Sequence, residues 1–203
     1  MVNHRELTVP PAIRALRDEP GRLHGSTPSS GSLQMQCPVW TVVDSATPTF
    51  QWTARSNVAG YVVNVLADDR ANRKIAKSEV ISVSGSETLP YHWRLPGNTP
   101  WERGKAYRWY VTALINDNSA HLTAVDELAV KFSVLSESEN LAGLKAKAGG
   151  SQLVAALLDL QAGLLDDAER KFDGLRQNQD QTDEGKAFLA KVIAEVRTLK
   201  GDL

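Results

Sequence analysis

Few residues in this chain of 203 have side chains suited to chemistry, and their spacing joins none of them into a motif. The histidines, His4, His24, His92 and His121, stand far apart, so no two share the i, i+4 spacing that lets one helix face hold a metal. Cys37 is the single cysteine, which excludes an intrachain disulfide and any site of several thiolates. Beside Pro38 in an expected strand, it reads as a small buried hydrophobe. The carboxylate pairs Asp68-Asp69 and Asp166-Asp167 fall in an expected turn and at an expected helix start, where acids have structural reasons to be. No glycine-rich phosphate loop, His-Glu-x-x-His, Cys-x-x-Cys or Gly-x-Ser-x-Gly occurs. The expectation is a chain with no cofactor, no metal and no catalysis. The remaining candidates are aromatic. Segment 87–101 holds three prolines together with Tyr91, Trp93 and Trp101, rings that could stack on a sugar or anchor a protein interface.

The elements that must position these residues divide at a change of composition. All five tryptophans (Trp40, Trp52, Trp93, Trp101, Trp109) precede residue 110, and the last seventy or so residues turn to helix formers. Three regions are expected: an arm and linker over 1–32, a β-rich domain over 33–135 and a helical domain over 136–203. In the arm, Pro10 and Pro11 precede Ala12, Ile13, Ala15 and Leu16, which suggests a short helix that Pro20-Gly21 ends, followed by a Gly/Ser-rich linker over 25–32. Such an arm has no core of its own, so Ile13 and Leu16 are expected to lie on a partner. Charge is balanced, 23 Lys plus Arg against 24 Asp plus Glu, without basic clusters, so nucleic acid is not an expected partner. No signal-like segment and no run of about eighteen apolar residues occurs, which points to a cytoplasmic protein that could reach a membrane surface through partners, with a periplasmic location as the alternative.

Strand patterning is the clearest signal. Tyr61, Val63 and Val65 alternate with Val62, Asn64 and Leu66; Tyr107, Trp109, Val111 and Ala113 alternate with Arg108, Tyr110 and Thr112; Leu128, Val130, Phe132 and Val134 alternate with Ala129, Lys131 and Ser133. Six or seven such strands imply two packed antiparallel sheets. Pro48-Thr-Phe50-Gln-Trp52, Gly60-Tyr61-x-Val63-x-Val65 and Trp101-x-x-Gly104-x-x-Tyr107-x-Trp109 resemble strands B, C and F of a fibronectin type III-like, immunoglobulin-like β-sandwich. The resemblance implies that Trp52 packs under Tyr61 and that Tyr107 ties down the turn before it.

Over 136–203, Ser136-x-x-Glu139 reads as a capping box opening a short helix that Gly149-Gly150 ends. Ser151 then caps a helix with Leu153, Val154, Leu157, Leu158 and Leu160 crowded on one side. Gly163, Ala168 and Phe172, with Ala156 before them, resemble the turn and close helix contact of a tetratricopeptide repeat. A last helix over 183–200 carries Phe188, Leu189, Val192, Ile193, Val196 and Leu199 as one stripe. A single repeat cannot build a peptide groove, so lateral helix packing on a partner or on the sandwich is expected, with Leu165, Val192 and Val196 as candidate partner contacts. Residues 33–178 together also resemble C-terminal portions of some bacterial membrane-anchored proteins that begin with a zinc-finger anti-sigma segment, which implies a bacterial chain. The zinc finger and the membrane helix have no counterpart here. The functional expectation is a non-catalytic interaction or structural subunit of a larger bacterial assembly, contacting other proteins through arm and helical hairpin. The alternative is a ligand-sensing or carbohydrate-binding module that uses Tyr91, Trp93 and Trp101.

Overall fold

The computed structural model describes residues 8–17, 33–83, 90–97, 99, 101–116, 122–126, 129–136, 141–147, 149–178 and 180–201. Pro20-Gly21, the 25–32 linker, Leu128, Glu139 of the capping box, and His4, His24 and His121 lie outside them.

A short helix, α1 (Pro11–Arg17), precedes ten strands: β1 (Met35–Cys37), β2 (Thr41–Val43), β3 (Thr49–Trp52), β4 (Val58–Ala67), β5 (Lys74–Lys77), β6 (Ile81–Ser82), β7 (Tyr91–Arg94), β8 (Ala106–Asn116), β9 (Leu122–Asp126) and β10 (Val130–Val134). Four helices close the chain: α2 (Leu141–Lys147), α3 (Gln152–Gln161), α4 (Leu165–Gln177) and α5 (Asp183–Lys200). One sheet runs β1-β3-β7; the other runs β2-β10-β8-β4-β5, with β6 also on β4 and β9 on β8. The expectation of purely antiparallel sheets is corrected by β2, which pairs with β10 in parallel. Its cause is a strand switch: the chain leaves β1 in the smaller sheet, passes a cis bond before Pro38, and enters β2 in the larger one.

Alternation places the core. Tyr61, Val63, Val65 and Ala67 of β4 and Tyr107, Trp109, Val111 and Ala113 of β8 face Phe50, Trp52 and Tyr91 of the smaller sheet in one apolar cluster. Each buried ring or aliphatic side chain of this kind stabilises the fold by about 1.5–3 kcal/mol. The rings meet edge to face, Phe50 with Trp109 at 5.0 Å and Trp52 with Tyr61 at 5.6 Å between centroids. Two tyrosine hydroxyls staple turns: Tyr61 accepts from Arg55 N at 2.8 Å and Tyr107 from Glu102 N at 2.8 Å.

A second apolar cluster joins the helices to the rest. Ala156, Leu160, Leu164, Leu165, Ala168, Phe172, Leu189, Ile193, Val196 and Leu199 pack with Val42 and Leu135 of the β-rich part and with Ile13 and Leu16 of α1. The arm therefore does not reserve its apolar face for a partner: Ile13 is 0% and Leu16 5% exposed, covered by this chain itself. Arg17 donates to the Leu199 carbonyl, tying α1 to the end of α5.

The joint is the turn between α3 and α4. Gly163 has φ +79°, and a Cβ there would stand 2.9 Å from Val42 Cγ2 and 3.3 Å from Ile13 Cδ1. Only glycine combines that backbone with that approach. Val42 N donates to Gly163 O at 2.9 Å, and Thr41 Oγ1 accepts from Leu165 N at 2.9 Å. A strand residue thus satisfies one of the four orphan amides at the start of α4, a cap supplied from 124 positions away.

Candidate functional site

Of the described residues of segment 87–101, Tyr91, His92, Trp93 and Arg94 lie in a strand rather than a loop. Tyr91 to Arg94 are β7, paired with β3 from Trp52↔Tyr91 to Thr49↔Arg94. Alternation turns Tyr91 inward against Trp52 and Tyr61, while His92 and Arg94 face out. Trp93 lies 5.6 Å from Phe50, and Trp101 packs edge-on to Tyr107 and Phe132 with Nε1 donating to Ala46 O at 2.9 Å. These three rings cover the β core and do not form an open stacking platform. In the helices, Leu165 and Val196 are fully buried and Val192 is half-buried against the second cluster. The residues expected to meet partners are therefore mostly interior, because an apolar stripe signals burial without saying whose surface covers it.

Cys37, Asp166, Glu169, Arg197 and Lys200 line a cleft of about 760 Å³ between the β-rich part and α4–α5. The strand switch brings Cys37 to Asp166, and its Sγ lies 3.2 Å from Asp166 Oδ2. Lys200, near the end of α5, bridges Asp166 and Glu169 at 3.0 Å each, and Arg197 Nε donates to Glu169 Oε1 at 2.6 Å. Burial pushes the Cys37 thiol above the ordinary range, and the charge and hydrogen bond of Asp166 add to that rise. A thiol kept protonated is a poor nucleophile and a poor metal ligand. Burial also raises Asp166, only partly offset by Lys200. For Glu169, burial pushes upward, but hydrogen bonds from Arg197 and Lys200 and their charges prevail and hold it below the usual carboxylate value. The group links α4, α5 and β1. Sequence reasoning missed it because its members come from positions 37, 166, 169, 197 and 200, with only the i, i+3 pairs within α4 and α5 close in sequence. Asp68 plays a similar part in the sheets, bridged by Arg108 and Lys131 at 2.9 Å each. Among the described residues, no group of three or more His, Cys, Asp or Glu could hold a metal ion. No helix there is long and apolar enough to cross a membrane.

The other unusual surface lies on α2 and α3. Ser151 Oγ accepts from Val154 N and starts α3 at the expected residue. The helix then buries only Ala156, Asp159 and Leu160. Its apolar stripe points away from the core: Leu153 is 43%, Val154 40% and Leu157 44% exposed, and Leu144 of α2 is 49% exposed. Beneath them, the fully buried Asp159 pairs with Lys145 of α2 at 2.5 Å and with Lys171 of α4. Removing one partner of a buried pair costs about 3–5 kcal/mol, and less here because both lysines reach water. That acid holds α2 beside α3, so the stripe is a fixed surface. Phe188, expected on the buried stripe of α5, is 62% exposed and stands apart from the other large exposed hydrophobics in sequence. No family model and no curated protein sequence matches this chain.

Proposed function

We propose that this chain is a non-catalytic interaction subunit that meets another protein through the α2–α3 face. The supporting observation is the exposure of Leu144, Leu153, Val154 and Leu157 on two adjacent helices whose mutual placement is held by a buried ion pair. Singly exposed hydrophobics are ordinary on any protein, whereas a contiguous apolar strip marks a contact surface. The protonated Cys37 and the mutually paired Asp166, Glu169, Arg197 and Lys200 favour a structural role for the cleft over catalysis.

The finer family reading fits within this proposal. A fibronectin type III-like β part is supported by the Trp52–Tyr61 contact, by the Tyr107 hydroxyl on the Glu102 amide, and by two sheets sharing one core. A tetratricopeptide-like pairing of α3 and α4 is supported by the buried Ala156, Ala168 and Phe172 around Gly163. Such arrays stack helices in layers, and an end layer without a polar outer face is a surface that awaits a neighbour.

A photo-crosslinking residue at position 157, expressed in the native cells, tests the proposal, with the same residue at position 188 as control. A discrete adduct at 157 that Val154→Glu abolishes is the expected result. Equal labelling at both positions, or none at 157, would sink the docking face.

A further inference from the structure

We infer that a cavity between α2, α3 and α4 binds the phosphoryl group of a small, polar, soluble phosphate monoester, at a site separate from the apolar strip. The cavity has a volume of about 350 Å³, within the range of small-molecule sites. Among the described residues that line it, Lys145, Arg170 and Lys171 are cationic and none is acidic.

Charge singles this cavity out. Lys145 reaches one oxygen of Asp159 and Lys171 the other, so two ammonium groups stand on one carboxylate. One lysine would neutralise Asp159, and among the described residues neither pairs with another acid. The surplus faces the cavity, because Asp159 is fully buried while the lysine side chains are 30% and 37% exposed. Asp167 takes one nitrogen of the Arg170 guanidinium, so three cations against two carboxylates leave one positive charge unbalanced. The larger cleft beside Cys37 differs, since Asp166 and Glu169 there match Lys200 and Arg197. A bound anion would complete the balance that the chain itself leaves open.

The walls fit such a group. Gly174 lies inside α4, where glycine is a poorer helix former than alanine, and packing does not require it: nothing stands within 4 Å of the place a Cβ would take. Its effect is to keep the cavity open one turn beyond Arg170 and Lys171. The start of α3 supplies further donors, because its first turn holds no acid and the amides of Gln152 and Leu153 precede the first turn's hydrogen bonds. Donors thus converge from three helices. A carboxylate offers two oxygens in one plane, whereas a phosphoryl group offers three around a tetrahedron and can meet all three helices at once. The space exceeds one phosphoryl group, so the ligand carries a body. Among the described lining residues there is no aromatic ring to stack on a base, and Gln152 suits a polyol or sugar.

Amide-shift titration of the isotope-labelled full chain with glycerol 3-phosphate, at pH 7 and constant ionic strength, tests this. The Gln152 and Leu153 amides should shift and saturate. Lys171→Gln, which leaves Asp159 paired with Lys145, should weaken binding about ten-fold. Gly174→Glu should abolish it by placing an acid in the cavity, and Gly174→Ala should bind as the wild type does. Absence of a saturating shift overturns the inference, as does binding that both Lys171→Gln and Gly174→Glu leave unchanged. Acetate binding as tightly as glycerol 3-phosphate would overturn the phosphoryl assignment. Binding to phosphatidic acid vesicles without binding to glycerol 3-phosphate would overturn the soluble ligand in favour of a lipid headgroup.

Discussion

Asp166 and Glu169 sit one helical turn apart on α4 and share Lys200, yet their environments move them in opposite directions. Asp166 is raised by burial, so its ionisation is less favourable in the folded state than in the unfolded one. It costs nothing below the ordinary aspartate value; as pH rises through the interval up to its raised value the fold loses stability, and above that the penalty is constant. Glu169 is lowered, so its contribution is present above the ordinary glutamate value and is lost as pH falls through its depressed one. At pH 7, Asp166→Asn should leave the melting temperature unchanged or slightly raised, and Glu169→Gln should lower stability by about 1 kcal/mol. The Asp166→Asn difference should vanish below the ordinary aspartate value, and the Glu169→Gln difference should shrink as pH falls below the ordinary glutamate value. Thermal melts across pH check this, and a clear loss with Asp166→Asn at pH 7 contradicts the assignment. Cys37, kept protonated beside Asp166, should alkylate with iodoacetamide at least ten-fold more slowly in the native chain than in denaturant, by mass spectrometry.

The decisive element is the α3–α4 turn. Gly163→Ala forces a side chain into a positive-φ backbone against Val42 and Ile13, and the expected cost is about 2–3 kcal/mol from strain and displaced packing. Because Val42 N and Thr41 Oγ1 bond to this turn, the change should also raise amide exchange at Val42 and Leu165 before it affects the middle of β4 or β8. Uniform exchange changes over the whole chain would point to a turn that is not the joint. The glycine itself was legible as a helix stop. That it is also the contact point of strand, arm and helices was not, because Val42 and Ile13 are more than a hundred positions away in sequence.

Over the whole molecule, the helical cluster is joined to the rest through residues from outside the helical region, two from the arm and two from the β-rich part. Ile13, Leu16, Val42 and Leu135 all enter the helical cluster. Trp52, Trp93, Trp101 and Trp109 pack in the β core and Trp40 packs against the helical cluster, so tryptophan fluorescence follows mainly the β part, while ellipticity at 222 nm follows mainly the helices. The shared cluster predicts coincident urea midpoints for the two signals, and Gly163→Ala should separate them. Separate midpoints in the wild-type chain would mean that the helices dock weakly despite Val42 and Leu135.

What the sequence determined by itself was local. Period-two alternation marked β4 and β8 and named their inward residues, since neighbouring positions on a strand must face opposite sides. Ser151 and Gly163 marked helix ends, because capping depends on adjacent backbone amides and on left-handed φ. Tertiary structure decided coverage. Ile13-x-x-Leu16 and Leu153-Val154-x-x-Leu157 look alike as apolar stripes, yet the first is buried and the second is exposed. The difference lies in which distant surface reaches each stripe. The cap of α4 by Thr41, the Cys37–Asp166–Lys200 group and the parallel β2–β10 pair were settled the same way. Each joins residues whose proximity exists only once the chain has folded.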